Sequence, residues 1–157
     1  MKIELIIVGK TDSSWIQDGF NVYKKRLSHY ISFNTVLIPN LKNRKNLSIQ
    51  QQKDLEGKLI LKYIQPTNFV VLLDEKGKSL SSIDFSNFLQ QKMNIGTKKL
   101  VFVIGGAYGF SKEIYDVSNQ LFSLSKMTFS HQMIRPFFVE QLYRAFTILN
   151  NEPYHHV

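Results

Sequence analysis

No cysteine occurs among the 157 residues, which excludes disulfides, thiolate nucleophiles and cysteine-bound metals. No apolar run approaches the roughly 20 residues that a membrane-crossing helix requires. The opening MKIELIIVGK has about six apolar residues before a glycine and a lysine, too few for a signal-peptide core and enough for a first strand. The expected location is therefore the cytoplasm. The usual nucleotide and hydrolase signatures are missing as well. Gly105, Gly106 and Gly109 spell GGxxG rather than the dinucleotide fingerprint GxGxxG, and Lys126 stands where an acidic ribose partner would be expected. There is no GxxxxGK[ST] phosphate loop and no GxSxG nucleophile elbow. Of the four histidines, His155 and His156 are adjacent and would point apart in regular structure, and no carboxylate cluster accompanies any of them, so no metal is expected. Carboxylates are scattered, which leaves a paired acid/base site without a candidate. No repeat, linker or low-complexity tract interrupts the chain.

What is present is a core and an excess of positive charge. An apolar fraction of 43% in 157 residues suits one globular domain spanning 1–157. Twenty basic against twelve acidic side chains give +8, which favours a polyanion such as nucleic acid, the alternative being a generic basic surface. The basic residues gather at Lys24, Lys25 and Arg26, at Lys42, Arg44 and Lys45, and at Lys98 and Lys99. Loops and helix ends of this kind commonly contact phosphates.

In chain order, residues 2–8 read as a strand stopped by Gly9. Residues 15–28 read as a helix capped by Ser13 or Ser14, with Trp15, Ile16, Phe20, Tyr23 and Leu27 on its apolar face. A second strand covers 33–38, and PNLKNRKN follows as a basic loop. Ser48 caps a helix to about Tyr63, with Leu55, Leu59 and Tyr63 repeating every four residues. Residues 68–74 form a continuous apolar run, as in a strand buried on both faces, and Asp74 to Gly77 are expected to turn the chain. Ser81 or Ser82 caps a third helix closed by Gly96. A strand at 100–104, a short helix capped by Ser111, a short strand near 121–124 and a last helix from Arg135 to Asn150 complete the chain. Alternation of this kind predicts an α/β fold with a mostly parallel sheet of five to six strands and helices on both faces.

The stretch from Leu100 to Arg135 concentrates the features of a site. The run Leu100–Ile104 ends on Gly105 and Gly106, and the carboxyl ends of strands in open α/β sheets are where ligands bind. Glycine there admits a ligand close to the backbone, or makes no more than a tight turn. Composition and periodicity alone stop at a basic α/β domain with a ligand crevice.

The order of the C-terminal motifs goes further. FVIGGAYGF, then SLSKMTFSHQMIR, then EQLYRAF, then EPYHHV resembles the SPOUT-class methyltransferases, and within them the RlmH family, over the whole chain. Two positions depart from that pattern: Ser130 stands where the family usually has proline, and the tail ends His156-Val157 where Lys or Arg commonly follows the Tyr-His pair. The resemblance implies a C-terminal trefoil knot, a homodimer, and S-adenosyl-L-methionine as methyl donor for N3 of pseudouridine 1915 in 23S rRNA of the large ribosomal subunit. It places the donor on Leu73, Gly105 and the loop Leu124, Ser125, Lys126, Met127, Thr128 and Phe129.

Methyl transfer from a sulfonium needs two positioned reactants and a group that helps remove the imide proton. His155, on a tail able to reach a cleft or the partner subunit's, is the candidate base, with Tyr154 orienting it or stacking on the nucleobase. The alternative for His155 is a disordered terminal histidine. Arg135 and Arg144 are candidates to hold phosphates or the developing anion, Arg144 being equally placed to serve a dimer or a helix surface. A non-enzymatic RNA-binding α/β module and an α/β enzyme using another nucleotide are the competing classes.

Overall fold

A computed structural model describes residues 1–156; of the His156-Val157 end that departs from the family pattern, Val157 lies outside the described residues. Five parallel strands form one sheet in the order β2-β1-β4-β3-β5, with β1 at Lys2–Val8, β2 at Ser32–Ile38, β3 at Phe69–Ser79, β4 at Lys99–Ile104 and β5 at Gln120–Ser123. The helices between them are α1 (Ser14–Leu27), α2 (Ile49–Leu61), α3 (Ser82–Asn94), α4 (Lys112–Val117) and α5 (Ile134–Leu149).

The sheet is covered on both sides because its central strands are apolar on both faces over most of their length. In β1, Ile3, Leu5 and Ile7 face one core while Ile6 and Val8 face the other; in β4, Leu100, Phe102 and Ile104 alternate with Val101 and Val103. Helices α1, α3 and α5 close the first core through Phe20, Leu27, Phe85, Leu89, Phe138 and Phe146. Helices α2 and α4 close the second through Ile60 and Ile114. Phe138 packs against Phe102 at 4.8 Å between ring centroids, and Phe85 meets Phe122 edge-on at 6.2 Å. Each such ring contributes about 1.5–3 kcal/mol through burial.

Three local expectations change. Trp15 is 61% exposed rather than on the inner face of α1, which is carried by Ile16, Phe20 and Leu27. On α2, Leu55 and Tyr63 are exposed and the inner face is Gln52, Gly57 and Ile60. The reason is Gly57, where a Cβ would stand 2.4 Å from Ser111 Oγ: α2 turns its least bulky position toward α4. Finally, Asp74 to Gly77 do not end β3. The chain bulges between Leu73 and Lys78 and rejoins β5, with Lys78 and Ser79 paired to Phe122 and Ser123. A Cβ at Gly77 would fall 2.5 Å from the Phe122 backbone, so glycine permits that close return. The loop PNLKNRKN contains one 3-10 turn, Arg44–Asn46, held by Gln52, whose side-chain amide donates to the Arg44 and Leu47 carbonyls.

Candidate active site

The carboxyl ends of β3, β4 and β5 open into one cleft of about 620 Å3, within the size range of small-molecule sites. Its floor comes from β3 and β4, where Leu73, Ile104, Gly105 and Gly106 end the ladders. Its far wall is the segment after β5, from which Leu124, Ser125, Met127, Thr128 and Phe129 line the space. Lys126, expected among them, is exposed and does not line the cleft. The Ser125 hydroxyl accepts from the Met127 N–H at 2.9 Å, and the Ser123 hydroxyl donates to the Ser125 carbonyl at 2.7 Å, so the turn is fixed by its own side chains.

The glycine turn is narrow for stated reasons. A Cβ at Gly105 would meet the Phe110 ring at 3.0 Å, and one at Gly106 would stand 2.6 Å from Glu56 Oε2. Gly109 has φ +78°, a left-handed conformation that glycine adopts without strain. Beside β3, the Tyr115 hydroxyl donates to Asp74 Oδ2 at 2.6 Å; burial, then this carboxylate, push the phenol's pKa up, so it remains a donor. Both residues line the cleft.

His131 lines the cleft from the start of the segment leading into α5. Burial, then the Arg135 guanidinium, hold its imidazole below the usual range, so it is neutral near pH 7. Arg135 itself is turned inward and 1% exposed. Its Nε donates to the His131 carbonyl at 3.0 Å, Nη1 to Thr11 Oγ1 at 2.9 Å and Nη2 to the Val8 carbonyl at 2.7 Å. Gln132 adds a second tie, accepting from the Asp12 N–H at 2.9 Å. The cleft wall is thereby fastened to the end of β1.

Tyr154, His155 and Arg144 assemble elsewhere. Arg144 forms an ion pair with Glu140 at 2.6 Å, its Nη1 lies 3.4 Å from His155 Nδ1, and its guanidinium stacks over the Tyr154 ring at 4.6 Å. The Tyr154 hydroxyl donates to Glu140 Oε1 at 3.1 Å, and burial raises its pKa. Arg144 lies ten residues along α5 from Ile134, which lines the cleft, or about 15 Å at 1.5 Å per residue. Within one chain, the tail cluster and the cleft are separate.

Sequence reasoning passed over Lys53, which lines the cleft, and Glu56 beside Gly106. Their one visible signal is opposite charge at i, i+3 on one helix, a pattern also common on solvated faces. Among the described residues no group of His, Asp and Glu side chains is placed to hold a metal. Among the described residues no helix is long and apolar enough to cross a membrane.

Residues 1–155 match the family described as predicted SPOUT methyltransferase. The chain is 59% identical over 156 residues, 99% of both chains, to Ribosomal RNA large subunit methyltransferase H of Parabacteroides distasonis. It is 58% identical, with the same coverage, to the protein of that name from Christiangramia forsetii, and 59% to that from Flavobacterium johnsoniae. A match over nearly the whole length, joined to a parallel sheet whose ligand-sized cleft sits at the motif-bearing strand ends, makes this chain a member of the SPOUT methyltransferase family.

Proposed function

We propose that the protein is a cytoplasmic S-adenosyl-L-methionine-dependent methyltransferase acting on N3 of pseudouridine 1915 in 23S rRNA of the large ribosomal subunit. The observation that carries this reading is the cleft: seven of the eight positions that the family resemblance gives to the methyl donor, all but Lys126, line one space at three strand ends. The relatives' names supply the substrate class, and the charge of +8 agrees with a polyanionic partner.

The residues present suit that donor. Leu73, Ile104, Leu124 and Met127 give apolar surfaces for an adenine ring. Backbone groups beyond the strand ladders can read its edge, and Gly105 and Gly106 keep the floor open. When bound, the donor supplies an electrophilic methyl group on a sulfonium. The protein's part is to hold the acceptor nitrogen in line with that methyl, exclude water and assist loss of the imide proton.

His155 is the base in this proposal, with Tyr154 stacking on or orienting the nucleobase and Arg144 holding phosphate or the developing anion. Their distance from their own chain's cleft favours a homodimer in which each tail serves the partner's cleft. Tyr108, Met127, Phe129 and Phe137 are exposed apolar side chains, three of them lining the cleft and Phe137 packed on Phe129 at 5.3 Å, which suits a covered surface there. The trefoil threading of the last third of the chain belongs to the same proposal. Arg135 serves the cleft indirectly, as a brace for the His131 carbonyl.

S-adenosylhomocysteine should raise the melting temperature of the protein, with NAD and ATP as inactive controls. In Gly105→Val, whose side chain must displace the Phe110 ring and fill the floor, the shift should vanish. A shift with NAD or ATP but not with S-adenosylhomocysteine would replace this reading with that of another nucleotide enzyme.

A further inference from the structure

Two charged side chains of α2 stand beside the cleft without a salt-bridge or side-chain hydrogen-bond partner among the described residues, Lys53 lining it and Glu56 lying against Gly106, which lines it. Lys53 is half-buried, and Glu56, one turn further along the same face, lays its carboxylate over the glycine turn: Oε2 and Oε1 would stand 2.6 and 3.0 Å from a Cβ on Gly106. Neither forms an ion pair or a side-chain hydrogen bond among the described residues, not even with the other. A half-buried carboxylate left without a counter-ion is costly, because burial disfavours its charge. In keeping with that, burial raises the Glu56 pKa, opposed only by the exposed Arg44.

An unpaired cation and an unpaired anion, one helical turn apart beside a glycine-lined floor, match a ligand that carries both charges on adjacent groups. We propose that Lys53 and Glu56 form a subsite for an α-amino acid zwitterion, Lys53 taking the carboxylate and Glu56 the ammonium of the donor's amino acid end. This rests on the donor reading given above and goes beyond it: the apolar walls and strand ends take the nucleoside, while α2, outside every motif of the sequence, takes the other end. Bound ligand then supplies a counter-ion in direct contact with Glu56, where Arg44 acts only from a distance. It also gives Gly106 a second reason to be glycine, since any side chain would displace that carboxylate.

The test compares S-adenosylhomocysteine with 5′-methylthioadenosine, which keeps the nucleoside and thioether and lacks the amino acid end, by titration calorimetry on the full chain. The wild type should prefer the former by about tenfold or more, the range expected of charge-assisted hydrogen bonds. Lys53→Met and Glu56→Gln should each lower S-adenosylhomocysteine affinity by about tenfold and leave that for methylthioadenosine within about twofold, which also shows that the variants are folded. Unchanged affinity for both ligands would overturn the proposal, and so would equal losses for both, since Lys53 and Glu56 would then be mere wall. A wild type that binds neither ligand would instead remove the donor reading on which the subsite rests.

Discussion

His131 illustrates how a single residue's environment decides its chemistry. It sits in the cleft wall, its carbonyl pinned by Arg135 and its ring disfavoured as a cation by burial and by that guanidinium. The folded-state pKa is therefore depressed relative to the unfolded chain. The neutral ring costs the fold nothing above the unfolded value, and stability is lost as pH falls below about 6.5 and through the folded value. Ring resonances followed by NMR should show His131 titrating below 6.5, and His131→Gln should flatten the acid limb of the melting temperature below about pH 6.5. A midpoint at or above 6.5, or an unchanged acid limb, would contradict this environment. The glycines and the SLSKMTF loop were legible in the sequence because their spacing is a motif. The polarity of His131, the inward turn of Arg135 and the unpaired charges of Lys53 and Glu56 were not, because each depends on atoms brought together from distant segments.

At the scale of elements, the strands were readable and the helix faces less so. A strand buried on both sides reads as a nearly continuous apolar run, broken in β1 only by Glu4, which explains why β1 and β4 stand within a residue of where the runs place them. A helix face is read by period alone, and Gly57 defeats it on α2, where close packing against α4 leaves Leu55 and Tyr63 outside. The return of β3 after Asp74 escaped notice because a bulge in acidic and basic residues looks like a turn. The joint between β1, the cleft wall and α5 is held by Arg135, whose three hydrogen bonds reach Val8, Thr11 and His131. Arg135→Met should therefore lower unfolding free energy by roughly 2–4 kcal/mol in denaturant titration, since it strands buried acceptors. Arg135→Lys should restore little, because one ammonium cannot reproduce a planar fork. An unchanged denaturation midpoint would mean that the guanidinium braces nothing.

At the scale of the whole molecule, the fold divides the labour. In the proposed reaction the sheet ends hold the methyl donor, α2 holds its charged end, and the tail cluster of Arg144, Tyr154 and His155, with Arg144 about 15 Å along α5 from its own cleft, acts on the nucleobase at the partner's. A net charge of +8 suits the polyanionic partner of that proposal. The most direct measurement incubates the protein and its His155→Ala variant with labelled S-adenosyl-L-methionine and intact ribosomes, isolated large subunits or naked RNA, then maps the label. The account predicts one N3-methylated pseudouridine in the large-subunit rRNA for the wild type. For the variant it predicts a loss of turnover of about a hundredfold or more at nearly unchanged donor affinity. Label absent from rRNA although donor is bound, or residing on another atom, would contradict the proposed reaction, and wild-type turnover in the variant would remove His155 from it.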